Sequence, residues 1–257
     1  MKRIRIRDLH LWQFERLGAE SAVKHFVTDR NSHSNRKEFT LSYSSSPHHA
    51  EVQENRDSLA VAMGIHQDRL FFPSQVHKTR IVQVTHQTSR DTLMETDALV
   101  TAERGLCIGI LSADCVPILL YDKENKVIAA VHSGWKGTVA RILEKTLKEL
   151  STCFGTKGSD LLAAIGPSVC QESYEVGEEV VHAIRDAFGK ENDLMISQPD
   201  KKAKLDLWEA NKLQLLEFGV DPSQIEISDL CTVKNNRHFF SARKGDRGRF
   251  AAGIMMV

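Results

Sequence analysis

No apolar run in this sequence is long enough to cross a bilayer, which excludes an ordinary helical membrane span. The opening MKRIRIRDLHLWQF alternates charged and apolar side chains through its first seven positions and has no uninterrupted apolar core, unlike a secretory signal peptide. There is no net charge, since 34 basic residues cancel 34 acidic ones, and so nothing to favour nucleic acid or an acidic membrane as partner. Cysteine is sparse. The five thiols, Cys107, Cys115, Cys153, Cys170 and Cys231, are odd in number, scattered and free of any Cys-x-x-Cys pair, which is not a disulfide framework. Linkers, internal repeats and low-complexity tracts are also missing. What is left is the expectation of a cytoplasmic protein, one domain over residues 1–257, acting on small polar molecules. Its 41% hydrophobic content suffices for a substantial core.

The pattern along the chain predicts a strand with a short continuation over Ile4 to Phe14 and another over Val23 to Thr28. Asp29 to His49, rich in Ser, Asn and His, is expected to be a long surface loop. A helix is expected from Ala50 to Met63, stopped by Gly64, then a half-buried strand over Ile81 to Thr85 and a short strand over Thr96 to Thr101. From Thr138 onward Val139, Ile142, Leu143, Leu147 and Leu150 share one helical face. Leu161 to Ile165 is a buried strand; Glu178 to Phe188 and Leu205 to Phe218 are helices ended by Gly189 and Gly219. Ile225 to Ser228, Phe239 to Ala242 and Gly253 to Val257 complete the strands. Strands and helices alternate, but hairpin-like pairs also occur, so the fold class is α/β with mixed sheets.

Ile108 to Gly137 holds the chemistry. An apolar run delivers Ser112-Ala113-Asp114-Cys115, Pro117 removes one ladder donor, and a second run, Val127 to Val131, ends at His132 before Ser133-Gly134-Trp135-Lys136-Gly137. His77 stands near the start of the Ile81 strand. One thiol and two imidazoles suit zinc, and three protein ligands leave a fourth position open, as a catalytic site requires. Copper binds such donors as well. Spacings of 38 and 17 residues are no local ligand motif, and a buried structural Cys with hydrogen-bonded His residues fits the same residue types.

The phrases SQVHKTRIVQV, SADCVPILLYD, VIAAVHSGWKG, AIGPSVCQESYEVGEEV, DLWEANKLQLLEFGV and DLCTVKNNRHFFSARKGDRGRF, in this order from Phe71 to the C-terminus, resemble the successive signatures of the laccase-domain, or YfiH-like, family of purine nucleoside phosphorylases. The resemblance implies a single-domain, layered α/β/β/α fold and metal ligands at His77, Cys115 and His132, which would also be the catalytic centre. It implies phosphorolysis of adenosine, inosine, guanosine and methylthioadenosine to base and ribose 1-phosphate, with deamination of adenosine. The implied partners are purine nucleosides and phosphate, without nucleic acid or membrane and with the oligomeric state open. A multicopper relay, as the laccase label suggests, would need many more ligands.

The chain departs from the family pattern at Lys78, where Gly is usual, and at Lys136, where Arg is usual. Lysine keeps the charge but lacks the planar fork for bidentate phosphate contact. The family's N-terminal phrase survives only as Thr28-Asp29-Arg30, which bears on substrate range. Arg30, Lys136, Arg243 and Arg249 are the candidate phosphate contacts, Arg30 foremost, against their being solvated surface charges. Asp114 is a candidate for the substrate site or for orienting an imidazole, against a plain strand-end turn residue. Two other readings stand beside the phosphorylase. One is a Cys115–His132 amide hydrolase acting on a cell-wall precursor; the other is a non-enzymatic metal-binding protein.

Overall fold

The computed structural model describes residues 1–33, 38–189 and 193–257. Its elements begin β1 (Lys2–Ile6), β2 (Leu9–Gln13), α1 (Glu15–Gly18), β3 (Val23–Thr28), α2 (His49–Met63), β4 (Leu70–Phe71), β5 (Ile81–Gln83), β6 (Ala98–Thr101) and β7 (Cys107–Ser112). Next come β8 (Val116–Asp122), β9 (Val127–Ser133), α3 (Trp135–Val139), α4 (Ile142–Phe154), β10 (Leu161–Ile165), β11 (Glu175–Val176) and α5 (Glu178–Phe188). The chain finishes with β12 (Met195–Ser197), β13 (Ala203–Leu205), α6 (Leu207–Glu217), β14 (Ile225–Ile227) and β15 (Phe250–Met256).

Two six-stranded sheets carry the fold, ordered β1-β2-β3-β15-β7-β4 and β14-β10-β8-β9-β6-β5, beside a small β11-β13-β12 sheet. Both large sheets are mixed: β4 on β7, β5 on β6 and β14 on β10 run parallel, among antiparallel neighbours. Alternation at period two sets the layers. In β9, Val127, Ala129 and Val131 join Leu143 and Leu147 of α4, Ile184 of α5 and Leu215 of α6. Ile128 and Ala130 point the other way, into a core shared with Ile108, Ile110, Ala252 and Ile254 of the first sheet. That sheet's far side, with Leu11, Phe26, Cys107 and Met255, packs on Leu59, Ala60 and Met63 of α2. The layers are therefore α/β/β/α, with mixed sheets as expected. Because β8, β9 and β10 are buried on both faces, they read as continuous apolar runs rather than alternating ones.

Several sequence expectations need correction. Ile4 to Phe14 is a hairpin, not one strand, because Arg7 takes a left-handed φ of 53° and turns the chain between β1 and β2. The helix expected from Thr138 is two, α3 and α4, separated by Arg141 at φ 58°. Arg141 tolerates that conformation because its guanidinium bonds the Ala187 carbonyl at 2.8 Å and lies over Phe188. Phe239 to Ala242 forms no strand; Phe239 and Phe240 fill the inter-sheet core and a short 3-10 turn follows from Ala242. Leu205 ends β13, and the next helix starts after Asp206, whose side chain accepts from the Glu209 amide.

The segment from Asp29 to His49 is not a surface loop throughout. Ser34 to Lys37 of that expectation lie outside the described residues, but Asp29, Ser32, Phe39, Leu41 and Ser42 are buried. Asp29 accepts bonds from Trp12 Nε1 and the Asn31 amide and contacts His238 Nδ1, which fixes a polar stretch inside the protein. The Leu41 carbonyl accepts twice from Arg56 of α2.

Candidate metal centre and substrate cavity

Strand register brings the central residues to one level. Val116 of β8 pairs with Ser133 of β9, and Ala98 of β6 pairs with Val131, so Asp97 stands opposite His132 and Cys115 diagonal to it, all at the same end of three adjacent strands. The His132 amide donates to the Asp97 carbonyl at 2.8 Å, extending the ladder by one rung. His77 arrives from the loop before β5. Gln75 anchors that loop by exchanging two 2.8 Å bonds with the Leu111 backbone, as a strand neighbour would.

Asp97 is the residue that sequence reasoning missed. Its buried carboxylate accepts from the amides of Val76 (3.2 Å), His77 (2.9 Å) and Lys78 (2.8 Å), and meets His132 Nδ1 at 2.8 Å. One side chain thus fixes both histidines, one through the ring and one through the backbone. It also holds His77 at a left-handed φ of 61°. The available signal was a single acid entering the apolar run Ala98-Leu99-Val100. Asp114, the residue expected to orient an imidazole, does something else: its oxygens accept from Thr232 Oγ1, Ser241 Oγ (3.1 Å) and the Arg243 amide (2.8 Å). Those bonds fasten the turn before Cys115, at φ 86°, to the C-terminal loops.

The ligand atoms of His77, Cys115 and His132 lie within 4.8 Å of one another, and the two rings stand 4.8 Å apart at 73°. His132 commits Nδ1 to Asp97, leaving Nε2 for the sulfur or a metal, the usual arrangement for a ligating imidazole. Gly134 makes room for the cluster, since a Cβ there would sit 2.7 Å from the Cys115 sulfur and 3.3 Å from the His77 ring. Soft sulfur, two imidazole nitrogens and a carboxylate behind one ring fit a zinc or copper ion.

Electrostatics agree with a ligand role. Burial alone would raise the Cys115 thiol, but the charge of His132 and hydrogen bonds from both imidazoles bring it down to about 6. Burial would likewise lower His132, yet Cys115 and Asp97 raise it to about 9. Burial opposes ionisation of Asp97 too, and its bonds to His132 and the loop amides hold the carboxyl below its ordinary value. Both shifts favour a thiolate beside an imidazolium, and a cation entering would displace that proton.

Two cavities open on the cluster. The larger, about 580 Å³, has His77, Cys115 and His132 in its wall together with Ser42, Arg243 and Arg249. The smaller, about 290 Å³, shares His77, Asp114, Cys115 and Tyr174 with it and adds Trp135 and Lys136. Three of the four expected cations therefore line a cavity at the cluster. Arg30 does not: it pairs with Glu38 and with both oxygens of Asp246, lies over Phe240, and lines a separate cavity with His48 and Glu51. Two carboxylates occupy its fork. From the Asp29 to His49 segment, Ser42 and Ser44 line the larger cavity.

A mixed α/β/β/α protein with one thiol and two imidazoles gathered from two strand ends and a loop is the class defined by fold and site. The family described as multi-copper polyphenol oxidoreductase laccase matches residues 24–257, and the chain belongs to this laccase-domain, YfiH-like family. A purine nucleoside phosphorylase of Bacteroides thetaiotaomicron is 38% identical, with 97% of each chain covered. Adenosine deaminase RL5, from an unknown prokaryotic organism, is 37% identical over 79% of this chain and 81% of its own length. Among solved structures, YlmD from Geobacillus stearothermophilus superposes with a TM-score of 0.88 at 27% identity, covering 98% of this chain and 97% of its own.

Proposed function

We propose that this chain is a zinc-dependent purine nucleoside phosphorylase, converting adenosine, inosine, guanosine or methylthioadenosine and phosphate to base and ribose 1-phosphate, with adenosine deaminase activity besides. The observation that carries this reading is the meeting of His77, Cys115 and His132 where two cavities join, in a chain whose relatives bear both activity names. Zinc held by these three side chains would supply a Lewis acid with one open position.

The chain's own residues do the rest. Cys115 enters as a thiolate, and Asp97 keeps the His132 Nδ1–H turned outward so that Nε2 faces the cluster. Phosphorolysis brings a phosphate oxygen to C1′ as the purine departs, which calls for cations around a doubly charged reactant. Arg243 and Arg249 offer that charge in the larger cavity and Lys136 in the smaller. Tyr174, shared by both, supplies an apolar ring at their junction, with the Arg243 guanidinium 4.7 Å from its centroid. Nucleoside and phosphate can thus approach one centre from two sides. Metal-loaded enzyme with adenosine and phosphate should yield adenine and ribose 1-phosphate with some inosine. Full turnover in Cys115→Ala would remove the reading.

The thiolate–imidazolium pair itself favours a second reading, a cysteine hydrolase in which Cys115 attacks an amide, such as one in a cell-wall precursor, while His132 gives its proton to the leaving amine and then serves as base for the water that frees the acyl group. Chelation separates the two, since a hydrolase of that kind keeps its activity without metal and a metal-dependent phosphorylase does not.

A further inference from the structure

A third cavity, about 580 Å³, adjoins the large one and shares Ser42, Ser44, Pro73, Ser74 and Leu111 with it. Its distinguishing feature is a pair of arginines. Arg56 gives Nε and Nη2 to the Leu41 carbonyl at 2.9 and 2.7 Å, with its guanidinium carbon 4.4 Å from the centre of the Tyr43 ring and 5.1 Å from that of Phe72. Arg90 gives its Nη atoms to the carbonyls of Leu70, Gln67 and Asp68 and lies 4.7 Å from the centre of Phe71. These partners orient the forks without cancelling their charge.

The carboxylate on the wall, Asp68, is exposed and engaged with His66 at 2.9 Å and Arg69 at 3.9 Å, and its charge offsets only part of what burial does to Arg90, which stays below its ordinary value. Arg56 is brought down to about 10, by burial first and then by the charge of Arg90. Two cations held close enough to repel each other, beside a roomy cavity, are poised for an anion. Ser42, Ser44, Gln53, Gln67 and Ser74 add neutral hydrogen-bonding groups around it.

We infer that the Arg56–Arg90 cavity is a phosphate-group subsite, and that the protein takes purine nucleoside 5′-phosphates with the phosphate there and the nucleoside reaching over the Ser42–Ser74 wall to the cluster. The nucleotide part rests on the nucleoside reading above. The same subsite chemistry would hold free orthophosphate, so the two sources must be told apart.

Calorimetric titration of the metal-loaded full chain with AMP, adenosine and orthophosphate does so. AMP should bind about ten-fold or more tightly than adenosine, the worth of one or two charge-assisted hydrogen bonds. Arg90→Gln should bring AMP to the level of adenosine, and Arg56→Lys, which keeps the charge but loses the fork, should take part of the advantage. Thermal melting of both variants guards against unfolding, and Arg90, being exposed, is the safer test. If AMP and adenosine bind alike but orthophosphate weakens in Arg90→Gln, the phosphate subsite stands and the nucleotide assignment falls. AMP and orthophosphate both indifferent to Arg56 and Arg90 would overturn the proposal. Failure of adenosine to bind at all would instead strike the nucleoside reading, because orthophosphate still judges the subsite.

Discussion

Each large sheet carries a buried histidine, and a cysteine goes with each, but the two pairs behave oppositely. On the first sheet, Cys107 of β7 and His25 of β3 are shut away separately: burial pushes the thiol up, and burial pushes the imidazole, whose Nε2 accepts a 2.8 Å bond from the Phe14 amide, down to about 4. At the ends of the second sheet, Cys115 falls to about 6 and His132 rises to about 9. The difference is company rather than depth. Strand register sets Cys115 beside His132 with Asp97 behind, so each charge is worth more to its neighbour than its own desolvation costs.

Exchanging the cysteines breaks this comparison most sharply. Cys115→Ala should lower nucleoside turnover below about one part in a thousand, as loss of an essential group does, whereas Cys107→Ala should leave turnover near that of the parent. Steady-state assays of both variants with adenosine and phosphate check it.

The histidine on the first sheet should show itself in stability. His25 stays neutral in the folded protein down to about pH 4, while the unfolded chain takes up the proton below its ordinary value of 6.5. The unfolded state then binds more protons across that window, so stability is complete above it and declines as pH falls, by about 3 kcal/mol at most. Urea unfolding at a series of pH values should show that slope, and His25→Gln, which keeps an acceptor for the Phe14 amide, should flatten it.

Smaller still is the effect of removing the support behind the second pair. Asp97→Asn should cost about 10- to 100-fold in metal affinity, the range for partners of ligating imidazoles. In metal-free protein it should also raise the pH at which Cys115 alkylates, from near 6 toward an ordinary thiol value. Competition with a chromophoric chelator and iodoacetamide kinetics report the two effects. An unchanged profile would mean that His77 and His132 need no carboxylate to stabilise the thiolate.

The same contrast bears on what the sequence could disclose. Local pattern discloses elements whose identity is local: Leu161–Ile165, the face of α4, and the helix end at Gly64, which is left-handed. It does not disclose features decided by distant partners. Arg141 breaks a periodic helix because Ala187 and Phe188 stabilise it there. Arg30 is drawn from the cluster by Glu38 and Asp246. Asp97 serves through amides some twenty residues away, a contact that no spacing rule anticipates. The thiol and two imidazoles were legible only through the family phrases, since two strand ends and a loop bring them together.

One ion held among Cys115, His77 and His132, with nucleoside chemistry dependent on it, is what the proposed function requires. Metal analysis of purified protein, parent against Cys115→Ala, tests it most directly. One equivalent of zinc or copper per chain should be present in the parent and lost in the variant together with turnover. Metal content indifferent to Cys115, or full nucleoside turnover by metal-free parent protein, would contradict it.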